Sequence, residues 1–209
     1  MKLLNLFRKA PQIREAGELS RFIDENAAFV IQKGIYEYAR ARAGHYAKVL
    51  FKEPIFLDAV ERSRWRGFPM GLVMVSEVAA GVLEEETGAA RQRVCGFIHP
   101  LALSVFDGYR VPDSLGAAEW SGEREELDRR LGCLGGQARR RSFEVPDEYA
   151  KPYFDLMPIH EKLKARDYST TVSYLKLTLC NIHVELTKRL DAAAVGRLLG
   201  EEHRGTGSR

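Results

Sequence analysis

Counted at about 100° per residue, Ile23, Ala27, Val30, Gly34, Tyr38 and Ala41 fall in one narrow stripe. Asn26, Lys33, Glu37 and Arg40 gather on another face. That spacing predicts an amphipathic helix over about 18–43 with a solvated side. Lys33 and Glu37 are four apart and can pair, and Gly44 is a suitable stop after Arg40 and Arg42. Pro54 is placed to open a second helix through Ile55, Phe56, Ala59, Val60, Arg64 and Trp65. Gly67-Phe68-Pro69 predicts a kink or break, because a proline within a helix removes a hydrogen bond and clashes with the preceding turn. Residues 70–83 follow with Glu77 as their only charge and read as the central, most buried helix. They are too few to cross a bilayer, which needs about 20 apolar residues. Glu84-Glu85-Glu86 and Gly88 end the segment.

Beyond it the pattern is helical over 89–106, with a bend expected at Pro100. Residues 107–122, rich in Gly, Pro, Asp and Ser, read as a loop, and a polar helix is expected over 123–134. Gly135-Gly136 and Arg139-Arg140-Arg141 read as an exposed connection, and Pro146 opens a short helix closed by Pro158. Val172, Leu175, Leu179, Ile182, Leu186 and Leu190 form the cleanest seam, on a helix capped at Ser169 or Thr170. A last helix runs from about 191 to 202. No segment shows strand alternation, and any strand would fall at 169–172. The expected fold is all-α: an irregular orthogonal bundle of about six to eight helices. A basic tail (1–14) precedes one helical domain (15–202), and a disordered tail (203–209) follows it.

Composition narrows the class without naming a function. A chain of 209 residues, 45% hydrophobic and 29% charged, can bury a core without staples. Cys95, Cys133 and Cys180 are odd in number and widely spaced, so reduced thiols and a cytoplasmic location are expected. The start lacks the apolar run of a secretory signal. The net charge of +3 gives no reason to expect a nucleic-acid partner, and Arg139–Arg141 lacks interleaved aromatics. Lys2, Arg8, Lys9 and Arg14 surround Leu3, Leu4, Leu6 and Phe7; this is either a weak membrane-surface contact or a solvated tail. In general appearance the chain resembles small helical bacterial proteins, too broad a resemblance to give any residue a role.

Glu77 is costly to bury unpaired, yet it lies about 140° from the Leu72, Val75, Ala79, Leu83 face. It is expected at a boundary, paired with an arginine. Cys95 with His99 and Cys180 with His183 have helical spacings that could together serve zinc; equally, they are small apolar residues and half-buried imidazoles. No Glu-x-x-His, His-Glu-x-x-His, Walker loop, Gly-x-Gly-x-x-Gly or Gly-x-Ser-x-Gly occurs. No cofactor is therefore expected. Tyr153, Phe154, His160 and Asp167 are a candidate ligand-binding stretch or simply the fastening of a short helix. Arg62, Arg64 and Arg66 around Trp65 can hold an anion or pair with glutamates. The leading expectation is a non-catalytic protein-interaction module, an adaptor or assembly factor that binds a protein partner or itself, suggested by its many amphipathic aromatics. The alternative is a ligand-binding or enzymatic domain with a pocket near His160, into which Glu77, Trp65, Arg64, Tyr153 and Asp167 converge.

Overall fold

The computed structural model describes the backbone of residues 11–206 and the side-chain surroundings of 11–200. Leu3, Leu4, Leu6 and Phe7 lie outside the described residues, as do 207–209. The protein is an all-α bundle, 79% helical, without a strand among the described residues. Among the described residues are eight α-helices of ten or more residues and two single-turn pieces: α1 (Ala16–Ala27), α2 (Gly34–Ala43), α3 (Ala47–Leu50), α4 (Pro54–Thr87), α5 (Arg91–Asp107), α6 (Ala117–Cys133), α7 (Pro146–Asp155), α8 (Glu161–Lys164), α9 (Tyr168–Arg189) and α10 (Ala192–Thr206). Residues 169–172 are helical, and the last helix passes the expected end at 202.

The first helix departs from the expected stripe. Between α1 and α2 the chain forms a π-helical turn, Ala28–Lys33, without leaving the helix. Val30 of the expected stripe is fully buried, but the row that continues through the turn is Leu19, Ile23, Ala27, Ile31, Ile35 and Ala39, all fully buried, with Ala43 nearly so. This is a strict repeat of four. On an ordinary helix each such step drifts about 40°; the wider π turn takes up the drift and keeps the row facing the core. Gly34, Tyr38 and Ala41, predicted in the stripe, are turned out of it.

The second correction concerns α4, which runs unbroken through Gly67-Phe68-Pro69 for 34 residues. Pro69 removes one backbone donor, but the helix continues through it, packed on both sides. Phe68 is buried against Trp65 and Tyr109, and every residue from 71 to 83 is buried. Pro100 is likewise accommodated inside α5. Among the described residues α4 alone is long and apolar enough to cross a membrane, and 89% of its most apolar stretch is buried in the bundle. It packs against α1, α2, α5, α6, α7, α9 and α10.

Helix α6 begins at Ala117, earlier than expected, because Trp120 stacks on Phe106 with centroids 4.1 Å apart and draws the first turn into the core. At the far end, α9 begins at Tyr168 rather than after a Ser169 or Thr170 cap. Its other end is tied to the segment before α1 by the Ile13–Leu190 bridge.

The π turn and α4 approach each other closely. A Cβ at Gly71 would stand 2.5 Å from Ile31 Cγ1 and 3.1 Å from the Ala27 carbonyl oxygen, and one at Gly67 would stand 2.6 Å from Ile31 Cγ2. Replacement Gly71→Ala should destabilise the fold by about 1–3 kcal/mol through overpacking, despite alanine's better helix propensity. Gly122→Ala in α6, where nothing is within 4 Å, should instead raise stability by up to about 1 kcal/mol. Urea denaturation of both variants checks the contrast.

Candidate functional site

The π turn that re-registers the first helix also builds a cavity. Gly34 follows it, and a Cβ there would lie 2.5 Å from the Tyr153 hydroxyl oxygen and 2.8 Å from that of Tyr174. Both hydroxyls donate to the Val30 carbonyl within the turn, at 3.4 and 3.2 Å. Glycine thus admits two phenols that a side chain would exclude. Tyr153 is fully buried, and desolvation raises the pKa of both phenols above the ordinary value.

Around these tyrosines lies a cavity of about 480 Å³ between α2, α7 and α9, walled by Phe29, Gly34, Tyr38, Tyr153, Met157 and Tyr174. The size and apolar walls are those of a small-molecule pocket. One end is closed by a polar latch. Asp167 accepts from Tyr38 at 2.7 Å and is paired with Arg42. The guanidinium holds the Asp167 carboxyl below its usual pKa. Burial, and then the bond to Asp167, push the Tyr38 phenol up to about 12. This engagement explains why Asp167, at the N-cap position of α9, makes no side-chain cap. At the other rim Lys33 stands over the Phe29 ring, 5.0 Å from its centroid, instead of pairing with Glu37.

Of the residues singled out from the sequence, Tyr153 and Asp167 line this cavity together. The others do not join them. Trp65 belongs to an edge-to-face aromatic cluster with Phe68, Tyr109 and Trp120. Arg64 pairs with Glu61 at 3.0 Å and borders a neighbouring depression, while Arg62 and Arg66 both reach Glu119. His160 is exposed and accepts the Lys162 backbone N–H through Nδ1 at 3.3 Å. Sequence reasoning missed Gly34, Tyr174 and Lys164. The last is 1% exposed, donates to the Phe154 and Asp155 carbonyls at 3.2 and 3.3 Å, and so closes α7.

Glu77 corrects the expectation of a boundary position. It is 2% exposed and takes a two-pronged contact from Arg140, 2.7 Å from Nε and 2.5 Å from Nη2. The carboxylate raises the arginine's pKa. Arg139 meets Glu85 at 2.6 Å, so two members of the arginine run are neutralised by α4. Glu77 lines a separate groove of about 440 Å³ with Cys180 and His183, whose Nδ1 lies 3.0 Å from Ser142 Oγ. Cys95 and His99 border a different depression, with His99 Nε2 2.6 Å from Asp128 Oδ1; burial raises the Cys95 thiol's pKa. The two Cys–His pairs therefore do not meet. Among the described residues no group of three or more His, Cys, Asp or Glu is placed to hold a metal.

Compared with family models, curated proteins and solved structures, the chain matches none.

Because Glu77 is buried, Arg140→Met should cost about 3–5 kcal/mol by leaving its charge uncompensated. The double variant Glu77→Met/Arg140→Met should recover most of that loss. A double-mutant cycle by chemical denaturation measures the difference.

Proposed function

We propose that this protein is a small-ligand-binding module that holds an apolar molecule in the cavity between α2, α7 and α9. The observation that carries the reading is the pairing of a π turn with Gly34. Together they hold open about 480 Å³ of largely apolar space instead of letting the helices close on one another. π turns are frequent at functional sites. Two tyrosines, Met157 and Phe29 offer contact area, and the latch at Arg42, Asp167 and Tyr38 fixes one wall. The phenol–carboxylate contact within this cavity, Tyr38 to Asp167, is held by Arg42 and the phenol's pKa is pushed up to about 12, so the reading is binding and not catalysis.

The uncharged fluorescent probe N-phenyl-1-naphthylamine should bind the protein at one site with enhanced emission. Ala41→Trp, at a lining position, should weaken it at least tenfold, about 1.4 kcal/mol. Thr187→Trp, an exposed position on α9 away from the cavity, should leave it unchanged. Fluorescence titration that found no saturable site, or equal affinity in Ala41→Trp, would remove the reading.

A second reading, self-association, is favoured by one observation. Ile55 is 87% and Tyr46 73% exposed, with Val49 also exposed between them. They lie around the α3 turn, which is stiffened by edge-to-face contacts of Phe51 with Tyr36 and Phe56. Light scattering should then detect dimer, and Ile55→Asp should return it to monomer. A monomer at every concentration up to the millimolar range rules it out.

A further inference from the structure

Phe29 and Lys33, one turn apart, border two depressions at once: the apolar cavity and a second of about 520 Å³ on the other side of their side chains. The second is the less apolar of the two. Gln32 and Arg64 line it, and both carry a nitrogen without a hydrogen-bond partner, Nε2 of Gln32 and Nε of Arg64. A buried donor left unpaired costs about 1–3 kcal/mol, and two such donors at one place mark where an acceptor is wanting. The Gln32 amide cannot satisfy the need by turning over, since its oxygen already takes Arg64 Nη2 at 3.3 Å. Lys33 on the dividing ridge has a cation–π contact with Phe29 and no carboxylate partner among the described residues. The other charges facing the two depressions are Glu25 and Glu37 on the outer rims, Arg64 held by Glu61, and the Arg42–Asp167 pair.

From this juxtaposition we infer that the ligand is an anionic amphiphile. Its apolar body fills the tyrosine-walled cavity, and its oxyanion head crosses the Phe29–Lys33 ridge to the Lys33 ammonium and the unpaired donors of Gln32 and Arg64. The inference rests on the cavity reading above and adds the headgroup to it. Carboxylate and phosphate heads share the required chemistry: a negative charge with several acceptor oxygens on a flexible tail. Lys33, Gln32 and Arg64 bring three donors together at the ridge and the second depression, whereas in the apolar cavity Tyr38 and Arg42 are already engaged by Asp167 and the Tyr153 and Tyr174 hydroxyls by the Val30 carbonyl, so the head is oriented towards the ridge.

Calorimetric titration with dodecanoate, dodecyl phosphate, dodecanol and dodecylammonium, each below its micellar concentration, tests the inference on the full chain. Dodecanoate or dodecyl phosphate should bind at least tenfold tighter than dodecanol, and the tighter of the two names the headgroup. Lys33→Gln should abolish most of that preference, read as the ratio of anion to dodecanol affinity within the same variant. Gln32→Leu, which removes one unpaired donor without a charge, should reduce it severalfold. If all four chains bind alike, or dodecylammonium binds best, the headgroup assignment falls and the apolar cavity stands. If none binds and the naphthylamine probe also fails, both fall. Circular-dichroism melting of each variant separates lost binding from lost folding.

Discussion

Ile31 is the residue on which the arrangement turns. Its side chain is seated between Gly67 and Gly71 of α4, closer than any Cβ at either position would permit. Interiors pack as densely as organic crystals and transmit small changes of volume, so this contact fixes how deep the first helix sits. The buried row continues with Ile35 and Ala39 only because the π turn absorbs its drift. The same turn presents the Val30 carbonyl to Tyr153 and Tyr174, and the next residue is the glycine that leaves room for them. One local choice of backbone therefore sets the core on one side of the helix and the cavity on the other.

A different economy governs the opposite side of α4. The loop carrying Arg140 has little apolar content, and it is fastened by a charge reaching into a buried carboxylate. Such pairs give modest net stability, because desolvating both ions offsets most of their attraction. What this one supplies is position: the two-pronged geometry leaves the loop one place to be, and Tyr149 lies 5.8 Å under the same guanidinium. The arginine run is thus partly drawn into the structure from a stretch that composition alone describes as solvated.

The all-α class, the burial of 70–83 and the α9 seam were legible because each rests on periodicity, which tertiary contacts reinforce. The π turn was not read, although its trace was present: Leu19, Ile23, Ala27, Ile31, Ile35, Ala39 and Ala43 recur every four residues, a spacing an ordinary helix cannot hold on one face. The continuity of α4 through Pro69 was illegible for another reason, since local geometry argues for a break and only the surrounding packing overrules it. Of the candidate site, Tyr153 and Asp167 were found because they flank a turn. Gly34 and Tyr174 were hidden because their role comes from a neighbour more than a hundred residues away in sequence. The separation of Glu77, Trp65 and His160 followed from the same cause: nothing in a single sequence says which helices touch.

The bridge at Ile13 gives the fold an unexpected topology. Its N–H donates to the Arg189 carbonyl at 2.7 Å and its own carbonyl accepts from the Asp191 N–H at 2.9 Å. Arg189 also reaches back to the Pro11 carbonyl, across 178 positions of sequence. The chain enters the bundle where α9 hands over to α10, so the intervening helices form a ring closed by a clasp of a few hydrogen bonds. Closing so long a loop is entropically slow. On a ribosome the clasp has no partner until Arg189 and Asp191 have emerged, so the segment around Ile13 is pinned only after α9 has been made.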